Sequence, residues 1–324
     1  MIRAVTLALC VVVMGCSAAG PTWQSPLQRE HPLVGRIWQT STGRFVPQEE
    51  LLTALAAADF VLLGEKHDNP DHHALQVRVL QSLIAKGRRP ALRLEMVTPE
   101  QEPKLKAWLA GHPKDAAGLA TVLEWQTSGW PDFGMYRPIL EAALAAGLDI
   151  GAANLARATV KAMVFQGPGA LDAATAERYG LQTPLEPPVQ DAMQKESMAC
   201  HCNQLPQEAA VAMVMAQRAR DAAMADALLQ APPGGAVLIA GNGHVRSDRG
   251  VPAHLKRRAP QRSVLAVSFV EVQKDAQTPA EFLGPEGLAA DFLWFTPRLD
   301  ELDPCTTFAE QLKRMKEREA PKAP

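Results

Sequence analysis

Short apolar runs alternate along this chain with longer segments of helical spacing, and that alternation constrains its fold most. "DFVLLGE" (59–65) and "RPALRLEMV" (89–97) are apolar runs of strand length. "HHALQVRVLQSLIAKG" between them repeats its apolar residues at helical spacing and stops at a glycine. Two strands joined through a helix in this way pair in parallel, because the handed crossover packs back onto the sheet. "LDIGAANL" (148–155), "GGAVLIAGNGHV" (234–245) and "RSVLAVSFVEV" (262–272) are further strands, and "GMYRPILEAALAAG" is a helix feeding the first of them. "DFLWF" (291–295) reads as an edge strand. The expected fold class is α/β: a mostly parallel central sheet flanked by helices, with a smaller helical lobe. Two stretches that break the alternation, 98–130 and about 156–232, are expected to form that lobe.

The N-terminus carries one arginine, an apolar run from Ala4 to Met14, then Gly15 and Cys16, the pattern of a secretion signal over residues 1–15. The run is shorter than the roughly 20 residues a spanning helix needs. Val13-Met14-Gly15-Cys16 resembles the bacterial lipobox, which would make Cys16 the acylated first residue and attach the protein to a membrane through a lipid anchor; an ordinary cleaved signal in which Cys16 is incidental is the alternative. Ser17 after it resembles lipoproteins passed to an outer membrane, so the expected location is the bacterial envelope, facing the periplasm. Residues 16–36 read as a tether, 37–300 as the body, and 301–324 as a charged helix ending in a disordered tail. A formal charge of -2 with scattered lysines and arginines gives no reason to expect nucleic acid as a partner. Once Cys10 leaves with the signal and Cys16 is acylated, Cys200, Cys202 and Cys305 remain, enough for one intramolecular pair at most. A bridge from Cys305 to the 200/202 pair would staple the tail to the body; three separate thiols are the alternative.

In an open parallel sheet, ligands bind beyond the carboxyl ends of the strands. Glu65 and His67 follow the first run, Arg93 and Glu95 close the second, Asn154 and Arg157 follow the third, and Asn242, His244 and Arg246 follow the fourth. Glu65 and His67, two apart in extended chain, point to the same side. His72 and His73 fall in the first turn of a helix, where they are expected to line a rim or face water. Glu95 within an apolar strand demands a partner, and Arg93 on the same face could supply it as a structural ion pair. His244, between glycines 241 and 243, reads as a ligand contact in a tight turn, a helix cap or a satisfied core histidine.

Together "LLGEKHDNPDHH", "LRLEMV", "YRPILEAALAAGLDIGAANLAR", "MACHCNQLP" and "LIAGNGHVRSDRGVPAHL" resemble the ChaN family of haem-binding lipoproteins. That family lies in the superfamily of the TIKI proteases, the TraB proteins and the erythromycin esterases, and the resemblance runs from about Phe60 to Ser268. It implies haem as cofactor, a homodimer enclosing haems between its subunits, a link to iron uptake and an outer-membrane haem receptor as partner. Ferric haem wants an axial ligand, apolar surface for its faces and cations for its propionates. Tyr136, Tyr179 and His201 are the candidate ligands. Met193, Met198, Met213, Met215 and Met224 suit the faces, or simply fill a helical core. Arg157 and Arg246 suit the propionates, with Arg93, Asn154 and Asn242 supporting the pocket. The wider superfamily suggests an alternative, a hydrolase in which Glu65, His67, Glu95, His201 and His244 hold a divalent metal ion, or in which Glu65, His67 and His244 serve as acid and base. The thiols flanking His201 suit soft metal ions.

Overall fold

Alternation of buried side chains along the apolar runs produces one sheet with both faces covered. The computed structural model describes residues 22–303 apart from 205, 285 and 286, together with 305, 306 and 309. The signal segment, Cys16 and the tail from 310 lie outside the described residues. Among the described residues the strands are β1 (Ile37–Gln39), β2 (Arg44–Val46), β3 (Phe60–Glu65), β4 (Ala91–Leu94), β5 (Ile150–Ala152), β6 (Ala236–Gly241), β7 (Val264–Glu271) and β8 (Phe292–Thr296). They form a single sheet in the order β2-β1-β8-β7-β3-β6-β4-β5. The pairs from β8 through β5 are parallel, and only the β1 and β2 pairings are antiparallel. The expected parallel relation of β3 and β4 holds, with β6 inserted between them.

"DFLWF" is not an edge strand. β8 lies between β7 and β1, and the β1–β2 hairpin, whose strands are only three residues each, covers its outer side. Such short strands carry too few side chains to show a period.

Among the described residues eleven helices flank the sheet: α1 (Gln48–Ala57), α2 (Pro70–Ala85), α3 (Glu102–Gly111), α4 (Leu119–Val122), α5 (Trp125–Ser128), α6 (Phe133–Ala145), α7 (Arg157–Gln166), α8 (Ala173–Tyr179), α9 (Pro187–Cys200), α10 (Gln207–Leu229) and α11 (Val251–Arg258). Val61, Leu63, Leu92, Leu94 and Ile239 pack on one face, in the core that α1, α2 and α6 complete. Phe60, Leu62, Leu238 and Ala240 pack on the other, against α10 and α11. The two helical stretches do not join into one lobe. Leu105, Leu119 and Trp125 of α3–α5 belong to the first core, whereas Leu155, Met163, Tyr179 and Ala219 form a small third cluster with α7, α8 and α10.

Residues 22–36 are not a free tether. The backbone N–H groups of Gln24 and Ser25 donate to the Asp71 carboxylate at 2.7 and 2.9 Å, and Leu27 bridges to Arg298. Asp71 is free for this because Asn69, not Asp71, caps α2. One disulfide joins Cys202 to Cys305, and Cys200 is free and exposed.

Candidate functional site

Three strands deliver carboxylates and imidazoles to the same edge of the sheet. β3 ends in Gly64-Glu65, and a Cβ at Gly64 would sit 2.3 Å from a Val245 methyl carbon, so only glycine lets the turn after β6 pack here. Glu65 is buried; its Oε1 accepts from Tyr136 Oη at 2.6 Å and from His67 Nδ1 at 2.8 Å, and its Oε2 accepts from Gln76 Nε2 at 2.6 Å. Gly241 leaves room for the His67 ring, whose Nε2 would lie 3.0 Å from a Cβ there. Burial opposes charge on His67, yet its bond to Glu65 and the nearby Glu95 raise its pKa above the ordinary value. Tyr136 is driven far the other way from ionising by burial and by Glu65, so its hydroxyl is a neutral donor.

Glu95 just past β4 anchors a second network. Its Oε2 accepts the Gly241 N–H at 2.8 Å, and its Oε1 meets Arg220 Nη2 at 2.5 Å and His244 Nε2 at 3.3 Å. His244 Nδ1 in turn donates to Asp221 at 2.6 Å. Burial would raise the Glu95 carboxyl, but the charges of His244 and Arg220 prevail and hold it well below the usual carboxylate range. Burial likewise opposes charge on His244, and Glu95 and Asp221 overcome it, pushing the imidazole up to about 9. For Asp221 burial wins and the carboxyl is raised. The imidazolium form of His244 is therefore favoured, with Nε2 facing Glu95 and Nδ1 donating to Asp221.

Above this floor, α7, α9 and α10 close a cleft of about 530 Å³. Its wall is largely apolar, made by Val160, Val164, Met193, Met213 and Val214, with Glu196, Ser197, Cys200 and His201 of α9 beside them. Glu65, His67, Glu95, Asn242 and His244 line the floor, as sequence reasoning placed them. Asn154 supports it from below, accepting from Arg220 Nε at 3.0 Å and donating to the Glu95 carbonyl.

Several expectations are corrected. His72 and His73 face neither rim nor water: both are buried. His72 Nδ1 accepts the Lys66 N–H at 2.9 Å, and His73 Nε2 donates to the His67 carbonyl at 2.8 Å, so the pair locks the turn after β3. Burial holds His72 neutral, well below its ordinary pKa. Arg93 does not pair with Glu95; it reaches Asp149 at 2.7 Å, because Glu95 lies beyond the end of β4 and turns toward Gly241. Arg157 is exposed and donates to the Ser128 carbonyl, outside the cleft. Arg246 is buried in a neighbouring groove, bound to Asp248 and the Gly284 carbonyl. The guanidinium groups that do line the cleft, Arg220 and Arg249, were missed. Their signal was faint: Gln217, Arg220 and Asp221 share one face of the Ala/Met-rich α10 at spacings of three and four.

Of the three candidate haem ligands, only His201 lines the cleft. Tyr136 lies beneath the floor, and Tyr179 is buried in the lobe cluster beside Arg178. Of the five methionines, Met193 and Met213 reach the cleft, while Met215 and Met224 fill cores and Met198 lies in a separate shallow groove. Cys202, tied to Cys305, cannot ligate a soft metal ion. Among the described residues no group of three or more His, Cys, Asp or Glu side chains is arranged to hold a metal ion, so the divalent-metal alternative gains no support.

A mostly parallel sheet with a cleft at its carboxyl edge defines a ligand-binding α/β protein. The chain belongs to the family described as haem-binding uptake, Tiki superfamily, ChaN, whose model matches residues 51–255. Among solved structures, that of "Cofacial heme binding to ChaN of Campylobacter jejuni" is 20% identical with a TM-score of 0.63, covering 80% of this chain and 95% of that one, a likeness of fold. More distant are the type III effector HopBA1 (16% identity, TM-score 0.42, 76% and 91% covered) and an erythromycin esterase in its open conformation (13%, 0.38, 78% and 82%). No curated protein sequence matches the chain.

Proposed function

We propose that this protein binds haem in the cleft and serves haem and iron uptake as a lipid-anchored protein of the bacterial envelope. The observation that carries the reading is the division of the cleft into an apolar wall bearing His201 and a polar floor. A macrocycle can lay a face on the methionines and valines, whose soft side chains adapt to a flat surface. His201 Nδ1 donates to the Ser197 carbonyl at 2.8 Å, so Nε2 is the ring nitrogen this reading assigns to the iron. Haem, when bound, supplies an iron that takes such an axial nitrogen. Arg220 and Arg249 are the cations within reach of propionates, although each also serves a carboxylate of the protein.

The Campylobacter jejuni protein is described by cofacial haem binding, which brings two haems face to face. Phe165 on α7 is 77% exposed and Val211 on α10 is 44% exposed, close in sequence to Val164 and Met213 of the wall. Both are exposed apolar surface that a second copy can cover. None of the described helices is long and apolar enough to cross a membrane; in this reading the anchor is an acyl group on Cys16. An outer-membrane haem receptor is the partner this role implies.

The test is a ferric haem titration followed by absorbance and sedimentation. A saturable Soret shift near one haem per chain, with dimer growth, is expected; a featureless linear response would sink the reading. Mass analysis of protein extracted from membranes checks acylation, which Cys16→Ala should abolish.

One observation favours a second reading. His67 is held by Glu65 and one-third exposed in the cleft, and this reading makes it the acid–base group. Metal-free ester hydrolysis lost in Glu65→Gln would support it.

A further inference from the structure

We propose that Cys200 is a covalent attachment site for haem, its thiol adding across a vinyl group of a macrocycle ligated by His201. The inference rests on the reading of the cleft as a haem site and adds a bond to it. Cys200 and His201 are consecutive and line the same cleft, opposite its polar floor. Adjacent α-carbons stand about 3.8 Å apart, so a ligating ring and a thiol here address one ligand together. Attachment of c-type haem uses C-x-x-C-H, in which the ligating histidine directly follows a thioether cysteine. Residues 197–201 read Ser-Met-Ala-Cys-His, with Ser197 where the first cysteine of that motif would stand. The pattern is therefore that of a single thioether.

The structure separates this thiol from its neighbour. Cys200 closes α9, His201 caps it, and Cys202 and Asn203 then adopt left-handed φ of 58° and 55°. That turn takes the chain to the Cys202–Cys305 disulfide, which occupies the second thiol and leaves Cys200 free at the cleft. The Ser197 carbonyl fixes the His201 ring from the preceding turn of α9.

The chemistry balances without a co-reactant. The S–H bond and the vinyl π bond break; sulfur bonds to the vinyl carbon next to the ring, and the thiol hydrogen goes to the terminal carbon, which becomes a methyl group. No net electron transfer occurs.

The full chain, incubated anaerobically with ferrous haem, is denatured and separated by reversed-phase chromatography with mass detection. Mesohaem, whose vinyl groups are ethyl groups, and Cys200→Ser run in parallel. The expected result is one haem retained by the wild-type polypeptide, on the peptide containing Cys200, with the pyridine haemochrome band moved to shorter wavelength. Mesohaem should still give a saturable Soret shift, and both mesohaem and Cys200→Ser should release all pigment on denaturation. Saturable binding with complete release from the wild type overturns the attachment and leaves the haem site standing. Retention that persists with mesohaem or in Cys200→Ser also overturns it. Absence of any saturable Soret shift sinks the haem site and the attachment together.

Discussion

The strand-end floor and the lobe wall face each other across one cleft, yet their side chains are held in opposite ways. Glu65, Glu95, Asp221 and His244 on the floor are buried and bound to one another or to Tyr136, Gln76, Arg220 and backbone. On the wall, the apolar side chains of Val160, Val164 and Met213 are only half-buried. A floor whose lone pairs and protons are already committed among its own groups is rigid, and it has little to offer an iron atom. The wall, with soft apolar area and one imidazole, has ligand capacity and little structural duty.

The contrast is broken most forcefully at Glu95. Replacing it with alanine leaves the buried His244 and the partly buried Arg220 without their shared carboxylate, and removing one partner of such a network costs about 3–5 kcal/mol. Urea unfolding should show that loss, and a cost below about 1 kcal/mol would mean the floor is not the rigid element. The same network sets a pH dependence. The folded pKa of His244, about 9, lies above its ordinary 6.5, so its stabilisation is complete below pH 6.5 and disappears as pH rises through 9. The raised His67 acts with the same sign. Glu95, held low, contributes above its ordinary 4.5 and loses that contribution only in acid. The urea midpoint should therefore fall between pH 6.5 and 9.5, and His244→Gln should flatten that fall.

This difference also explains what the sequence disclosed. Residues that follow apolar runs in a parallel sheet end on one edge, so Glu65, His67, Glu95 and His244 could be brought together from their positions in the chain alone. Arg220 and Asp221 could not, because they lie in the middle of a long helix, and their partner is chosen by how α10 crosses the strand ends. Arg93 misled for a related reason: alternation fixes the face of a strand residue, but Glu95 had already left the strand. His72 and His73 looked exposed because a first helical turn usually is, and only the docked segment 22–36 and β8 show what covers that turn.

A sharper comparison sets His201 against His67. If the wall supplies the iron ligand, His201→Ala should weaken ferric haem binding by at least about 100-fold, the upper range seen when a metal's supporting groups are removed, and change the shape of the Soret band. His67→Ala on the floor should weaken it by less than about tenfold and leave the band shape intact. Equal losses in both variants would place the iron between floor and wall and erase the division of labour.

The smallest expected effect concerns the wall's tolerance. Met213 lines the cleft, and its sulfur accepts from Ser197 Oγ at 3.6 Å, one turn before the Cys200–His201 pair. Met213→Leu conserves volume and apolar character, so it should cost under about 1.5 kcal/mol in stability and change haem affinity by only a few-fold. A comparably mild exchange on the floor, Gln76→Met, removes the amide donor of Glu65 Oε2 in a buried site and should cost about 1–3 kcal/mol. Measured side by side by urea unfolding and haem titration, the two variants separate a surface that only needs the right shape from one that needs each hydrogen bond. If Met213→Leu instead matched the loss in Gln76→Met, the wall would be as tightly specified as the floor, and its half-buried side chains would have to be ordered by contacts beyond those of the single chain, such as a second copy closing over the mouth of the cleft.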